Sequence, residues 1–287
     1  LFLLPSIGMK NILIPTDFSE NSWNAIKYAV SFFNGIPVSF YLLHVSLVEE
    51  VDEDACFYKY SDTIVDKKIL YNPSEVLQAE LIKAKKYDTS NKHQFYAIHE
   101  YVQFIEAIRK SVVEKNIDYI VMGTKGASQY NNSTLGSHTG SVITKVKCPI
   151  LVVPEKAIYT APSTVLLPTD FNLNFKNKVL NTIDDILKVK KATLSVLYIS
   201  KSVKELSPLQ KRNREVLQES LQDKIKSCYF ISDQNIENAV DTFVKSKKVD
   251  MIAMVAKNLN FFQKILFKPT VEKISYHIEI PFLVLHE

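Results

Sequence analysis

The residues best suited to chemistry fall in one loop. Met122-Gly123-Thr124-Lys125-Gly126 is followed, nine residues later, by Gly136-Ser137. Gly123 has no Cβ, so its backbone admits a sugar at close range, and Gly126 permits a positive φ in a turn wrapped around phosphates. Gly136-Ser137 stands where a helix begins, and first-turn N–H groups together with the helix dipole favour an anion there. Ser137 and Thr139 add hydroxyl donors and Lys125 adds a positive charge. Between them, Asn131-Asn132-Ser133-Thr134 makes a polar segment of the kind that covers phosphates. The chain holds only 6 glycines, so three in one loop concentrate a scarce residue. The competing explanation is a strand-to-helix turn that needs glycine for backbone reasons alone.

Such a loop requires a buried strand before it and a helix after it, and the pattern supplies both. Tyr119–Met122 is a short apolar run and Ser137–Lys145 a short helix. Upstream, Asn11–Pro15 reads as a buried strand, and Ser19 as the N-cap of a helix carrying Ala25, Ile26, Ala29, Val30 and Phe33 at helical spacing. Val38–Val45 is a second strand. Pro73 opens a helix through Lys86, Gln94–Ile98 is a third strand, Val102–Glu114 a helix and Pro149–Val153 the last strand. Near-continuous apolar strands alternating with helices imply a parallel sheet covered on both faces. Ligands of such sheets bind beyond the carboxyl ends of the strands.

The chain repeats itself. Ile12-Leu13-Ile14-Pro15-Thr16-Asp17-Phe18 recurs as Val165-Leu166-Leu167-Pro168-Thr169-Asp170-Phe171. Asp118-Tyr119-Ile120-Val121-Met122 matches Asp250-Met251-Ile252-Ala253-Met254, and Cys148–Val153 matches Ile280–Leu285 with no gap between the two pairs. The expected domains are residues 9–155 and 163–287, joined through Pro154–Pro162. The ungapped match sets Val255 against Gly123, Asn258 against Gly126, Lys268 against Gly136 and Pro269 against Ser137. Leu259, Phe261, Phe262, Ile265, Leu266 and Phe267 replace the polar loop with an apolar one. A phosphate cradle is therefore expected in the first copy only. The apolar last strands, Ile150–Val153 and Phe282–Leu285, are expected to cover one another.

Composition narrows the classes. With 287 residues, 46% hydrophobic and 23% charged, each half can bury a core. A net charge of +4 with dispersed lysines gives no nucleic-acid groove. No apolar run reaches membrane-spanning length. Cys56, Cys148 and Cys228 lack metal or redox spacing and read as reduced thiols of a cytosolic protein. Residues 1–8, apolar but short and without a basic region, are set aside from the fold as an expression scar or upstream start, the alternative being a processed leader. The stretch Val48–Leu70, with its acidic cluster followed by Phe57, Tyr58 and Tyr60, reads either as a lid or partner loop or as a solvated insertion.

The spacing G-x2-G-x9-G-S, with Pro15-Thr16-Asp17-Phe18-Ser19, Leu42-Leu43-His44-Val45 and Cys148-Pro149-Ile150-Leu151-Val152-Val153, resembles the ATP-binding universal stress proteins over residues 9–287, in two copies. The resemblance implies two tandem Rossmann-like domains, each a mainly parallel five-stranded α/β sheet with helices on both faces. It further implies an adenine nucleotide (ATP, ADP or AMP), with or without Mg or Mn. Pro15, Thr16 and Asp17 would line the adenine and ribose side, with Asp17 also able to face a metal. Val45 would pack on the base, Met122 and Gly123 would flank the ribose, and Gly126, Gly136 and Ser137 would hold phosphates. One departure is His138, where the family usually has a small aliphatic residue; it either points away or approaches the phosphates. His44 reads as a packed strand residue.

The resulting expectation is a cytosolic nucleotide-binding regulatory protein of the stress response, acting on a protein partner the sequence does not name. Neither nucleic acid nor membrane is expected as a partner. A homodimer of whole chains stays open. The alternative is a nucleotide-dependent hydrolase or transferase, although the chain lacks His-x-Gly-His, Ser-Gly-Gly-x-Asp-Ser and Gly-Lys-Ser/Thr signatures. Slow ATP hydrolysis is the most enzymatic activity expected. A ligand-free scaffold suits the second half better than the first.

Overall fold

A computed structural model of the chain describes residues 8–46, 72–124, 136–200, 205–232, 236–256 and 279–286. These residues form two compact units that divide between Cys148 and Pro149. The first contains β1 (Lys10–Pro15), α1 (Glu20–Phe32), β2 (Val38–Val45), α2 (Pro73–Tyr87), β3 (His93–Glu100), α3 (Phe104–Glu114), β4 (Tyr119–Gly123) and α4 (Ser137–Lys145). The second contains β5 (Ile150–Val153), β6 (Thr164–Thr169), α5 (Asn177–Lys190), β7 (Thr193–Ser200), α6 (Pro208–Ser220), β8 (Ile225–Ser232), α7 (Ile236–Lys247), β9 (Met251–Val255) and β10 (Phe282–Leu285). The acidic insertion Val48–Leu70 falls outside the described residues, as does Cys56.

Each repeat contributes five strands, β1–β5 and β6–β10. In the first unit the order is β3-β2-β1-β4, all parallel. Ile12, Leu13 and Ile14 of β1 are consecutive and fully buried, which requires cover on both faces of the strand. The chain runs outward from β1 through β2 to β3, then crosses back to β4 on the other side of β1. A reversal of this kind is where open α/β sheets take their ligands, here at the carboxyl ends of β1 and β4.

The second unit has the order β8-β7-β6-β9-β10-β5. All its pairs are parallel except β10 with β5, where Phe282 faces Val152, Leu283 faces Leu151 and Val284 faces Ile150. Sequence similarity thus places β5 in the first repeat, while its ladder partner places it in the second unit.

Local chemistry starts the helices. Ser19 accepts the Ser22 N–H at the start of α1. Asn72 does the same for Ser74 at α2, with Pro73 at the first helical position. Ser207 and Gln210 form a reciprocal capping box at α6. Helix α3 begins at Phe104 rather than Val102, because β3 runs on to Glu100 and Gln103 keeps an extended backbone.

The paired motifs found in the sequence do the same work twice. Asp118 Oδ2 accepts the Asn11 N–H at 2.8 Å, tying β4 to the start of β1. Asp250 Oδ2 accepts from the Ser163 N–H, the Ser163 hydroxyl and the Thr164 N–H at 2.8, 2.7 and 2.9 Å, tying β9 to β6. Among the described residues no helix is long and apolar enough to cross a membrane. Cys148 is buried, its thiol donating to the Ile117 carbonyl at 3.6 Å, and Cys228 is exposed; neither forms a disulfide among the described residues.

Candidate functional site

The first wall is the turn after β1. Thr16 continues the ladder by donating its N–H to the Leu43 carbonyl at 2.8 Å. Its Oγ1 then accepts the Phe18 N–H at 3.1 Å, while Asp17 Oδ1 accepts the Ser19 N–H at 3.1 Å and the Ser19 hydroxyl at 2.6 Å. These two nested side-chain turns reverse the backbone and deliver it to the α1 N-cap. They hold Phe18 at φ 63°, a left-handed conformation that costs a non-glycine residue on the order of 1 kcal/mol. The ring of Phe18 stacks on His44 at 4.3 Å between centroids.

The second repeat builds the same turn. Phe171 N–H bonds Thr169 Oγ1 at 2.9 Å, Asn172 N–H bonds Asp170 Oδ1 at 3.0 Å, and Phe171 has φ 54°. Tyr198 stands at the register position that His44 holds in the first repeat, stacked on Phe171 at 5.4 Å.

His44 is buried on β2, with Nδ1 2.9 Å from the Thr16 carbonyl. A carbonyl can only accept, so Nδ1 carries a proton; Nε2 is buried with no hydrogen-bond partner among the described residues. His44 is therefore a packed residue that locks the β1 turn from the neighbouring strand. Val45, the expected base contact, is the half-buried last residue of β2.

The second wall lies where β4 ends. Met122 is buried and Gly123 half-buried. Gly136 donates its N–H to the Thr124 carbonyl at 2.5 Å, and Thr139 donates its hydroxyl to the Gly123 carbonyl at 2.8 Å. Both ends of the glycine loop are thereby pinned together, and the one hydroxyl proton of Thr139 is spent inside the protein. Gly136 is the N-cap of α4 with φ −68° and ψ 155°, and no side chain caps this terminus among the described residues. Any L-residue adopts that conformation. The φ and ψ at this position thus do not by themselves demand glycine. Lys125 and Gly126 lie outside the described residues.

His138 turns its ring onto Phe104 of α3, with centroids 4.6 Å apart, while Ser137 is exposed at the helix start. The far end of α4 is anchored by Arg109, whose Nε and Nη2 donate to the Lys145 carbonyl at 3.1 and 2.8 Å.

One residue at this site was not anticipated. Glu80 of α2 is buried, and its Oε2 is 2.7 Å from Thr16 Oγ1. Burial, and after it the charge of Asp17, push its carboxyl above the usual range, opposed by the Thr16 hydrogen bond and by Lys83. The signal was in the sequence: Leu77, Leu81 and Ala84 mark the buried stripe of α2, and a glutamate at 80 falls on that stripe.

Among the described residues no cluster of His, Cys, Asp or Glu could hold a metal ion. In the second unit, Val255 closes β9 with a buried branched side chain where the first repeat has Gly123. Asn258, Lys268, Pro269 and the apolar run Leu259–Phe267 lie outside the described residues.

Comparison with known proteins agrees with this architecture. A universal stress protein from Archaeoglobus fulgidus has a similar structure, with a TM-score of 0.62 at 16% identity over 96% of each chain. In sequence, this chain is 30% identical to Universal stress protein MJ0577 of Methanocaldococcus jannaschii over 159 residues, 53% of this chain and 98% of that protein. It is 28% identical to Universal stress protein MJ0531 of the same organism over 154 residues, 51% of this chain and 82% of that protein. The family model for the universal stress proteins matches residues 8–154. By that match, across half of its length, the chain belongs to the universal stress protein family.

Proposed function

We propose that the chain is a cytosolic regulatory protein of the stress response that holds one adenine nucleotide in its first unit and none in its second. The observation that carries this reading is Gly136. It sits at a helix N-terminus that no side chain caps among the described residues, with φ and ψ open to any residue. What glycine adds at that point is the absence of a side chain in front of the first-turn N–H groups, which is what a phosphate needs. The pinned loop ends at Gly123 and Thr124 bring this terminus to the end of β4, beside the Thr16-Asp17-Phe18 turn at the end of β1. Half-buried Val45 supplies apolar surface for a base, Met122 and Gly123 at the end of β4 would flank the ribose, and Ser137 supplies an exposed hydroxyl.

The second unit retains the turn but has Val255 for Gly123 and, by sequence, Lys268-Pro269 for Gly136-Ser137. A branched Cβ opposes close approach of a sugar, and proline removes an N–H donor. Nucleotide occupancy would bias the loops of the first unit and so its contacts with a protein partner; this is regulation rather than turnover.

Calorimetric titration of the full chain with ATP, ADP and AMP tests the proposal. One equivalent per chain is the expected result. Two equivalents would overturn the assignment of the second unit, and no binding of any of the three would overturn the nucleotide reading.

A further inference from the structure

Glu80 reaches the β1 turn from behind. Its Oε2 lies 2.7 Å from Thr16 Oγ1, which also accepts the Phe18 N–H and stands 3.1 Å from Ser22 Oγ. Ser22 donates its hydroxyl to the Ser19 carbonyl at 2.8 Å, and Ser19 donates its own to Asp17 Oδ1 at 2.6 Å. The hydrogens can therefore be counted. Both serine protons are committed, and Thr16 has a single proton with two oxygens in reach. An ionised Glu80 takes that proton and leaves the Thr16 and Ser22 oxygens facing each other without one. A neutral Glu80 donates to Thr16, Thr16 donates to Ser22, and each contact from Glu80 to the Ser19 carbonyl then holds one hydrogen.

We propose that Glu80 in its neutral form is a positioning residue that holds the Thr16-Asp17-Phe18 turn ready for nucleotide, so that affinity falls as Glu80 ionises. This rests on the nucleotide reading of the site. The surroundings favour the neutral form. Burial dominates, Asp17 in the β1 turn adds repulsion, and Lys83 on α2 opposes both. From β2, His44 bonds the carbonyl of the same Thr16. From β3, His99 has its nitrogens 2.9 and 2.8 Å from the Ser46 and Ser74 hydroxyls. Helix α1 contributes the uncharged hydroxyl of Ser22.

The test compares the full-length protein with Glu80→Gln and Glu80→Leu. Gln keeps a neutral donor at the Thr16 hydroxyl; Leu keeps none. ATP dissociation constants are measured by calorimetry from about pH 5 to about pH 8, above the ordinary carboxyl value of 4.5. Each variant is expressed as a ratio to wild type at the same pH, so that the titration of ATP itself cancels. At the upper end Glu80→Gln should bind about threefold to tenfold tighter than wild type, the worth of one hydrogen bond, and the ratio should approach one at the lower end. Glu80→Leu should bind more weakly than Glu80→Gln throughout.

Thermal unfolding gives a readout free of nucleotide. An acid whose folded value is raised adds stability below its unfolded value, and that stability is lost as pH climbs through the folded value. Wild type should therefore lose melting temperature relative to Glu80→Gln as pH rises. A pH-independent Gln-to-wild-type affinity ratio, or a constant melting gap, would overturn the role of Glu80 while leaving the nucleotide site intact. Absence of ATP binding in all three proteins would overturn the nucleotide reading and this proposal with it, whatever the melting curves show.

Discussion

Replacing Gly136 by Asp separates binding from folding at the α4 N-terminus. Gly136 has φ −68° and ψ 155°, a conformation that aspartate adopts without strain. Aspartate is a better N-cap than glycine, by a few tenths of a kcal/mol, so the helix should form as well or slightly better. The Gly136 N–H bond to Thr124 involves only backbone and survives the change. The new carboxylate, however, would cover the first-turn N–H groups that a phosphate would use. Two like charges ~4 Å apart repel by roughly 1–4 kcal/mol between water and a partly screened protein surface. The expected loss of ATP affinity is therefore from about fivefold to about a thousandfold. Gly136→Asn, which caps equally well without charge, should lose less, and the difference between the two isolates the electrostatic part. Calorimetry measures affinity, and circular dichroism checks that the melting temperature is not lowered. An Asp variant that melts like wild type and binds ATP unchanged would refute the placement of phosphate at this helix.

Two further outcomes follow from the second unit. Burial lowers the Lys190 ammonium to about 8 from its ordinary 10.5, so between those values the unfolded chain holds a proton that the folded chain lacks, and stability rises with pH. Lys190→Met should accordingly be more stable than wild type near neutrality by urea unfolding, with the margin shrinking above about pH 8; a margin that ignores pH would refute the argument from desolvation of this half-buried residue. Leu151 and Leu283 face each other across β5 and β10, so Leu151→Cys with Leu283→Cys in a background free of other cysteines should oxidise within one chain, whereas crosslinks found only between chains on a denaturing gel would contradict the pairing.

Much of the fold was legible because its signals are local. Three consecutive apolar residues at Ile12, Leu13 and Ile14 require a strand buried on both faces. Ser19 and Pro73 announce helix starts by chemistry confined to one turn. The repeat of Pro-Thr-Asp-Phe and of the later Asp implied two copies of one unit, and their hydrogen bonds match closely in the structure. Glycine spacing marked the candidate loop, again a property of neighbours in sequence.

What the sequence left open depended on partners distant along the chain. His138 had two directions available, and its contact with the ring of Phe104 on α3 could be read only from the fold. Thr139 looked like a phosphate donor until folding set its hydroxyl against the Gly123 carbonyl. Glu80 is 64 residues from Thr16, and no short motif links them. The charge state of such a group depends on how much water the surrounding helices and strands exclude, a quantity defined only once they have packed. Strand β5 makes the same point for the backbone: its apolar residues specify a buried strand, and only the antiparallel register with β10 shows which edge it covers.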